Sequence, residues 1–350
     1  MRAGVLYGPH DLRVEARPDP ACGDDDVIVE VTLNGLCGTD ATEFSKGPMM
    51  VPLATPHPAT GHVGPTILGH EFIGLVVDAG KNARSLLSKR VASGAGVPCG
   101  SCRWCLAGRT NLCAEYYTLG LSTHGGLAEF VRAPARTCLE IPDGCAEPDA
   151  ALAQPLAVGI HSVRRSGVRP GDTVVLLGAG AIGSFILSAL SGHDGAVIAI
   201  DVDDSRLKVA TGLGASQVHR IDRDITAAQL RELLPAGADV VIEASGAFGS
   251  AERAVALAVQ GGTVLLVGLN KAPQPLNLAD LVLREVNVHT TVAHVCDQDL
   301  PEALALLSQR RLATTLLDHI VPLTDVVAGG LEPLVAGTAA GKILVDPRRG

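Results

Sequence analysis

A chain of 350 residues with 47% hydrophobic side chains is long enough for two domains, each with its own core. Its 28 Lys and Arg against 37 Asp and Glu leave a net charge of −9, and aromatics make up only 3%. That balance excludes a basic stripe for nucleic acid and gives little material for a base-stacking surface.

Residues 1–20 lack the basic start and apolar block of a secretion signal. Nine cysteines, four of them clustered, fit metal thiolates in a reducing, cytoplasmic setting better than a disulfide framework. Residues 173–192 carry no charged side chain, about the length of a membrane span. Gly178, Gly180 and Gly183 interrupt them, so a strand, a tight turn and a buried helix are expected, with no membrane as partner.

In chain order, residues 1–33 read as strands, of which Ala3 to Tyr7 is short and apolar. Val27-Ile28-Val29-Glu30-Val31 reads as a second, after the turn-like segment 22–26. Next comes Gly35-Leu36-Cys37-Gly38-Thr39-Asp40, which offers a thiol and, two residues on, a hydroxyl. Residues 47–66 hold Pro48, Pro52, Pro56, Pro58 and Pro65, so they form a loop. Its His57 and His62 read as surface-loop histidines, with a pocket wall as the alternative.

Leu68-Gly69-His70-Glu71 follows, then a buried strand from Phe72 to Val77. Cys37, His70 and Glu71 together supply thiolate, imidazole and carboxylate, the three ligand types zinc accepts. Arg90 to Ser93 is another short strand. It leads to Cys99-x2-Cys102-x2-Cys105-x7-Cys113, four thiols at the spacing of a closed structural zinc site. The first three spacings also resemble a ferredoxin run, but the last is longer and no proline follows Cys113. Zinc is the reading. Four thiolates leave no open position, so this site folds a lobe and does no chemistry.

Residues 125–142 return to strand, and Asp149 to Arg165 reads as a helix interrupted at Pro155, with Gln154 just before it. Thr173 to Leu177 is an apolar strand, and Gly178-Ala179-Gly180-Ala181-Ile182-Gly183 opens a helix. Ala196 to Ile200 is the next strand, ending at Asp201. Strand, glycine loop, helix, strand and acid in this order form a dinucleotide fingerprint. Without that context the loop would be a packing turn. Asp201 would accept hydrogen bonds from ribose hydroxyls and repel a 2′-phosphate, favouring NAD. Arg206 either lies along the adenosine or is a solvated helix charge. Strands 239–243 and 263–267 end at Ala244-Ser245-Gly246 and Gly268, either side of helix 250–259. Val267, Gly268 and Leu269 are therefore expected at the cofactor. A helix over 300–311 and a closing strand over 342–345 complete the chain.

Taken together, Gly-x-Cys-Gly-Thr-Asp at 35–40, Gly-His-Glu at 69–71, the four-cysteine lobe, Pro-Leu-Ala-Val at 155–158 and the glycine loop resemble the medium-chain zinc-dependent alcohol dehydrogenases over nearly the whole chain. Within that family the proline-rich loop ending in Thr60-Gly61, followed by Leu68-Gly69-His70-Glu71-Phe72, most resembles (R,R)-2,3-butanediol dehydrogenases, then sorbitol-type enzymes. The resemblance implies an α/β protein: a GroES-like β-rich catalytic domain over 1–155 and 295–350, with an inserted Rossmann NAD-binding domain over 156–294. It implies Cys37, His70 and Glu71 as catalytic-zinc ligands, Gln154 at or near the metal, and a homodimer or homotetramer. It also implies a small alcohol or ketone as substrate, a vicinal diol or secondary alcohol first, and a cyclic polyol, sugar or biosynthetic intermediate second.

Two positions depart from the pattern. Relatives usually carry Glu where Gln154 stands, and commonly a His at position 42 that ends a proton relay from the Thr39 position. The expected chemistry is a metal acting on an alcohol oxygen, Thr39 taking its proton and NAD the hydride. A zinc-independent reductase and a nucleotide-sensing binding protein are the competing readings, the second because of Thr42 and Gln154.

Overall fold

The computed structural model describes every residue from Met1 to Gly350 except Lys271, and the chain divides into two units. Unit 1 is Met1–Ala157 with Val295–Gly350, and unit 2 is Val158–His294.

Unit 1 is built around β3 (Asp26–Gly35). It follows β1 (Arg2–Gly8) and β2 (Asp11–Ala16), and precedes α1 (Gly38–Lys46), β4 (Thr66–Ile67) and β5 (Glu71–Ala79). Next come β6 (Arg90–Ser93), β7 (Gly96–Val97), α2 (Arg103–Leu106), β8 (Tyr117–Thr118), β9 (Phe130–Pro134) and β10 (Cys138–Glu140). Helices α3 (Glu147–Ala150) and α4 (Ala153–Ser166) lead out of the unit. The β-branched side chains of Val27, Val29 and Val31 alternate into one core with Phe72, Val76 and Val91. A second core gathers Val5, Leu36, Phe44, Ile67, Leu127 and Ile343.

Unit 2 carries β11 (Val174–Leu177), α5 (Ala181–Ala189), β12 (Val197–Asp201), α6 (Asp204–Gly212) and β13 (Gln217–Arg220). It continues with α7 (Ala227–Leu233), β14 (Ala238–Glu243), α8 (Ser250–Leu257), β15 (Ala258–Leu266), α9 (Leu278–Leu283) and β16 (Asn287–Thr290). All pairs are parallel, in the order β13-β12-β11-β14-β15-β16. The order reverses between β11 and β14, the doubly wound pattern with a switch point there. Val174 to Leu177 is apolar throughout because both faces of β11 are buried. The chain re-enters unit 1 with α10 (Cys296–Gln309), β17 (Leu317–Pro322) and β18 (Lys342–Asp346). There β18 pairs with both β17 and β3.

Several boundaries differ from the sequence expectation. The helix expected over 149–165 is two, and Pro155 sits in the first turn of α4, where its missing N–H has no helical partner in any case. The strand expected over 125–142 is reduced to β9 and β10 by a turn at Ala135–Thr137. Helix α8 stops at Leu257, and β15 begins at once, earlier than expected. No helix among the described residues is long and apolar enough to cross a membrane.

Candidate metal centre and dinucleotide site

Cys37 is the residue at which β3 gives way to α1. Its backbone is extended, and its N–H donates to Asp40 Oδ2 at 2.9 Å. The other oxygen of Asp40 lies 3.3 Å from His70 Nδ1. One fully buried carboxylate thus ties the thiol-bearing turn to the imidazole, leaving Nε2 for a metal. Burial opposes charge on His70, yet the Asp40 carboxylate raises its pKa well above the usual value. Burial likewise opposes charge on Asp40, and His70 beside it lowers its pKa on balance.

His70 and Glu71 are delivered by a turn that only glycine permits. Gly69 has φ +93°, and a Cβ there would stand 2.5 Å from Asn34 Oδ1 and 2.7 Å from Leu127 N. Residues 125–127 clasp this turn: the N–H groups of Gly125, Gly126 and Leu127 donate to the carbonyls of Ile67, Gly69 and Leu68 at 2.8–2.9 Å. Glu71 then opens β5 opposite Gly35. Its buried carboxylate meets the ammonium of Lys342 on β18. Burial opposes charge on Lys342, but the negative charge of Glu71 raises its pKa.

The donor atoms of Cys37, His70 and Glu71 lie within 4.8 Å of one another. Sulfur, nitrogen and oxygen at that spacing fit a zinc ion with an open coordination position. Thr39 Oγ1 is 3.8 Å from Cys37 Sγ. Thr42 instead donates to the Gly38 carbonyl at 2.8 Å, turned onto its own helix. Gln154 is half-buried in the first turn of α4. His57 and His62 are tied into the fold: the His57 ring accepts the Ala59 N–H at 3.3 Å, and His62 Nε2 lies 2.8 Å from Thr66 Oγ1.

The four remaining candidate ligands, Cys99, Cys102, Cys105 and Cys113, also converge within 4.8 Å. Cys105 Sγ is 3.6 Å from Cys102 Sγ and 4.0 Å from Cys99 Sγ. A tetrahedral zinc with Zn–S bonds of about 2.3 Å sets sulfurs about 3.8 Å apart. Backbone N–H groups point at the sulfurs, among them Cys99 N to Cys113 Sγ at 3.1 Å. Those of Cys105 and Ala114 pull the Cys102 thiol down to about 6. The side chains therefore fit a closed metal site.

In unit 2, Gly178 has φ +96°, and Gly180 caps α5 without any side-chain acceptor for the first-turn N–H groups. Those donors suit a phosphate. A cavity of about 370 Å³ opens beside them, lined by Gly178, Asp201, Arg206, Arg223, Phe248 and Arg253 among others. Asp201 is more committed than the sequence implied. Its oxygens accept the N–H groups of Ala179, Val202 and Asp203 at 2.7, 2.8 and 3.0 Å, with Arg206 Nη1 at 3.8 Å. Ala181, Ile182 and Gly183 form the first turn of α5. Val267 and Gly268 follow β15 and donate to the Glu243 carbonyl, whereas Leu269 is exposed. The sequence pattern gives Asp40, Lys342 and Glu243 no role of their own. Only Asp40, three residues from a candidate ligand inside a recognised motif, offered a signal.

The sequence matches the family model for the alcohol dehydrogenase GroES-like domain over residues 23–143 and that for zinc-binding dehydrogenase over residues 181–309. It is 36% identical to a sorbitol dehydrogenase of Bombyx mori over 296 residues, 82% of each chain. It is 32% identical to an L-idonate 5-dehydrogenase of Vitis vinifera over 295 residues, 82% of this chain and 78% of that one. The structure resembles the crystal structure of 2R,3R-butanediol dehydrogenase from Bacillus subtilis, with a TM-score of 0.91 over 99% of both chains at 26% identity.

Proposed function

The chain belongs to the medium-chain zinc-dependent alcohol dehydrogenases, and from that premise we propose that it interconverts a secondary alcohol and its ketone with NAD. A vicinal diol or hydroxyketone is the leading substrate class. The observation that carries the reading is the convergence of Cys37, His70 and Glu71 donors in a chain that also holds an uncapped glycine-loop helix.

When bound, zinc supplies the positive charge that acidifies an alcohol hydroxyl, and NAD supplies the hydride acceptor. The residues do the rest. Cys37 and Glu71 balance a divalent ion, and buried Asp40 and Lys342 add one charge of each sign that cancel. The neutral side chain of Gln154, expected at or near the metal, adds no further negative charge. The centre therefore keeps its pull on substrate oxygen. Thr39, beside the thiol, would accept a hydrogen bond from the substrate hydroxyl and pass its own hydroxyl proton onward to solvent. In unit 2 the α5 N-terminus takes the pyrophosphate. The remaining acceptor capacity of Asp201 takes the adenosine ribose, with Arg206 alongside.

A cyclic polyol or sugar is the second reading. The sorbitol and L-idonate dehydrogenases among the relatives favour it. NADH formation across a panel of vicinal diols, polyols and cyclitols decides between them. Cys37→Ser should abolish turnover and leave NADH binding intact. Turnover by a Cys37→Ser protein free of active-site metal would refute the mechanism.

We also infer a homo-oligomer. β16 ends its sheet, and Leu278, Val282, Leu283 and Val288 are exposed around that edge. An apolar sheet edge of this kind is normally covered. Val282→Asp with Leu283→Asp should shift the protein toward monomer in size-exclusion chromatography with light scattering. An unchanged mass would remove this surface as the interface.

A further inference from the structure

Glu243, the last residue of β14, is only 2% exposed and has no part in the functions described so far. Its Oε1 accepts the N–H of Ser245 at 2.8 Å, the N–H of Gly246 at 2.9 Å and the Ser245 hydroxyl at 2.5 Å. Its carbonyl accepts Val267 N–H at 2.8 Å and Gly268 N–H at 3.0 Å. The second carboxylate oxygen lies where a Cβ on Gly268 would stand, 2.6 Å away. A Cβ on Gly178 would come 2.7 Å from Ser245 N. The Glu243 side chain therefore braces the Ser245-Gly246 turn after β14, its backbone carbonyl holds Val267 and Gly268 after β15, and Ser245 in turn packs against the glycine loop at Gly178.

All the carboxylate's partners are donors, which is the pattern of an ionised group. A buried charge acts over a longer range than an exposed one, because little water screens it. Ligands of open α/β sheets lie outside the carboxyl ends of the strands, at the switch point. The cavity lined by Asp201 and Arg206, which also reaches Ser245 and Phe248 after β14, takes the adenosine half. The nicotinamide half is left to the end of β15, where Gly268 stands against the Glu243 carboxylate. NAD in its oxidised and reduced forms shares every phosphate and ribose. The two forms differ in one hydride and one positive charge on the nicotinamide ring.

We propose that Glu243 is a positioning residue for the dinucleotide, and that its carboxylate charge favours the oxidised over the reduced form. This rests on the reading of unit 2 as the NAD-binding unit. The charge contributes to the difference between the two forms, and the bracing contributes to both alike.

The test measures dissociation constants in the zinc-replete full chain, for NADH by fluorescence titration and for oxidised NAD by competition against it. Glu243→Gln keeps the shape and removes the charge. It should raise the ratio of the oxidised to the reduced dissociation constant severalfold, as expected when one weakly screened unit charge is removed. Glu243→Asp keeps the charge and shortens the brace. It should weaken both forms by similar factors and leave the ratio near that of the parent protein. Equal weakening of both forms in Glu243→Gln would overturn the charge claim. Unchanged affinities in Glu243→Asp would overturn the bracing claim, even if the Gln variant does not fold. A parent protein that binds neither form would instead overturn the NAD reading on which this inference depends.

Discussion

Gly35 and Glu71 are register partners on β3 and β5, and the Glu71 carboxylate occupies the space a side chain on Gly35 would fill. A Cβ there would also lie 2.9 Å from Lys342 Cε. Both neighbours are buried, so neither has room to retreat. Gly35→Ala should push Glu71 out of line with Cys37 and His70. Zinc content should fall from two ions per chain toward one, the four-cysteine ion remaining. A misplacement of about 1 Å costs roughly a hundredfold in rate, so kcat/KM should fall by about that factor while NADH still binds. Two zinc ions and parental kinetics in this variant would show that Glu71 has slack.

The Lys342–Glu71 pair closes β18 onto the centre, with side-chain exposures of 7% and 1%. Removing one member of a buried ion pair leaves an uncompensated charge, at a cost of about 3 kcal/mol. Chelator-treated Lys342→Met should lose about that much unfolding free energy. Adding Glu71→Gln should restore most of it, because a neutral amide needs no counter-charge. Additive losses in the double variant, measured by denaturant titration, would contradict the pairing.

The candidate donor clusters were legible because each part lies in a short segment: Cys37 two residues before Thr39, His70 beside Glu71, and the four cysteines within fifteen positions. The alternation of β11, α5 and β12 was legible for the same reason, since apolar runs and glycines mark it locally. The partners of these groups were not. Lys342 reaches Glu71 only because β18 pairs with β3, a register set by tertiary packing at a separation of some three hundred positions. β2 lies within residues 1–33, expected as strands, but its own bounds are not marked in the sequence, because Asp11, Arg13 and Glu15 give it a polar face, natural on a solvated antiparallel strand. Asp201 was expected to serve the ribose, whereas backbone donors of its own turn (Val202, Asp203) and of the glycine loop (Ala179) already use three acceptor sites. That commitment depends on loop geometry, which spacing does not encode.

Gln154→Glu tests the charge argument directly. A carboxylate at or near the centre would add one negative charge to a balanced set and weaken the pull on substrate oxygen. An added like charge within about 4–6 Å of an ionising group disfavours its charged form and raises its pKa by about one unit. The kinetic pKa of alcohol oxidation should therefore rise by about one unit, with zinc content unchanged. A superimposable pH–rate profile would place position 154 outside the reach of the centre.

His124 stands behind the same turn and makes acid stability a measure of how firmly that turn is held. Its Nδ1 accepts the Ile67 N–H at 3.1 Å, three residues before His70, and its ring packs edge-on against His62 at 4.7 Å between centroids. Burial, and then the neighbouring His62, pull its pKa from 6.5 down to about 4. The native imidazole thus stays neutral where the unfolded one takes a proton. Its contribution to stability is complete above about pH 6.5 and is lost progressively as pH falls toward about 4. His124→Asn keeps an acceptor for Ile67 but cannot titrate. Melting temperatures of the two proteins should run parallel above about pH 7. Below about pH 6.5, that of the parent should fall more steeply. Parallel curves down to about pH 4.5 would mean that His124 gains its proton without disturbing the turn.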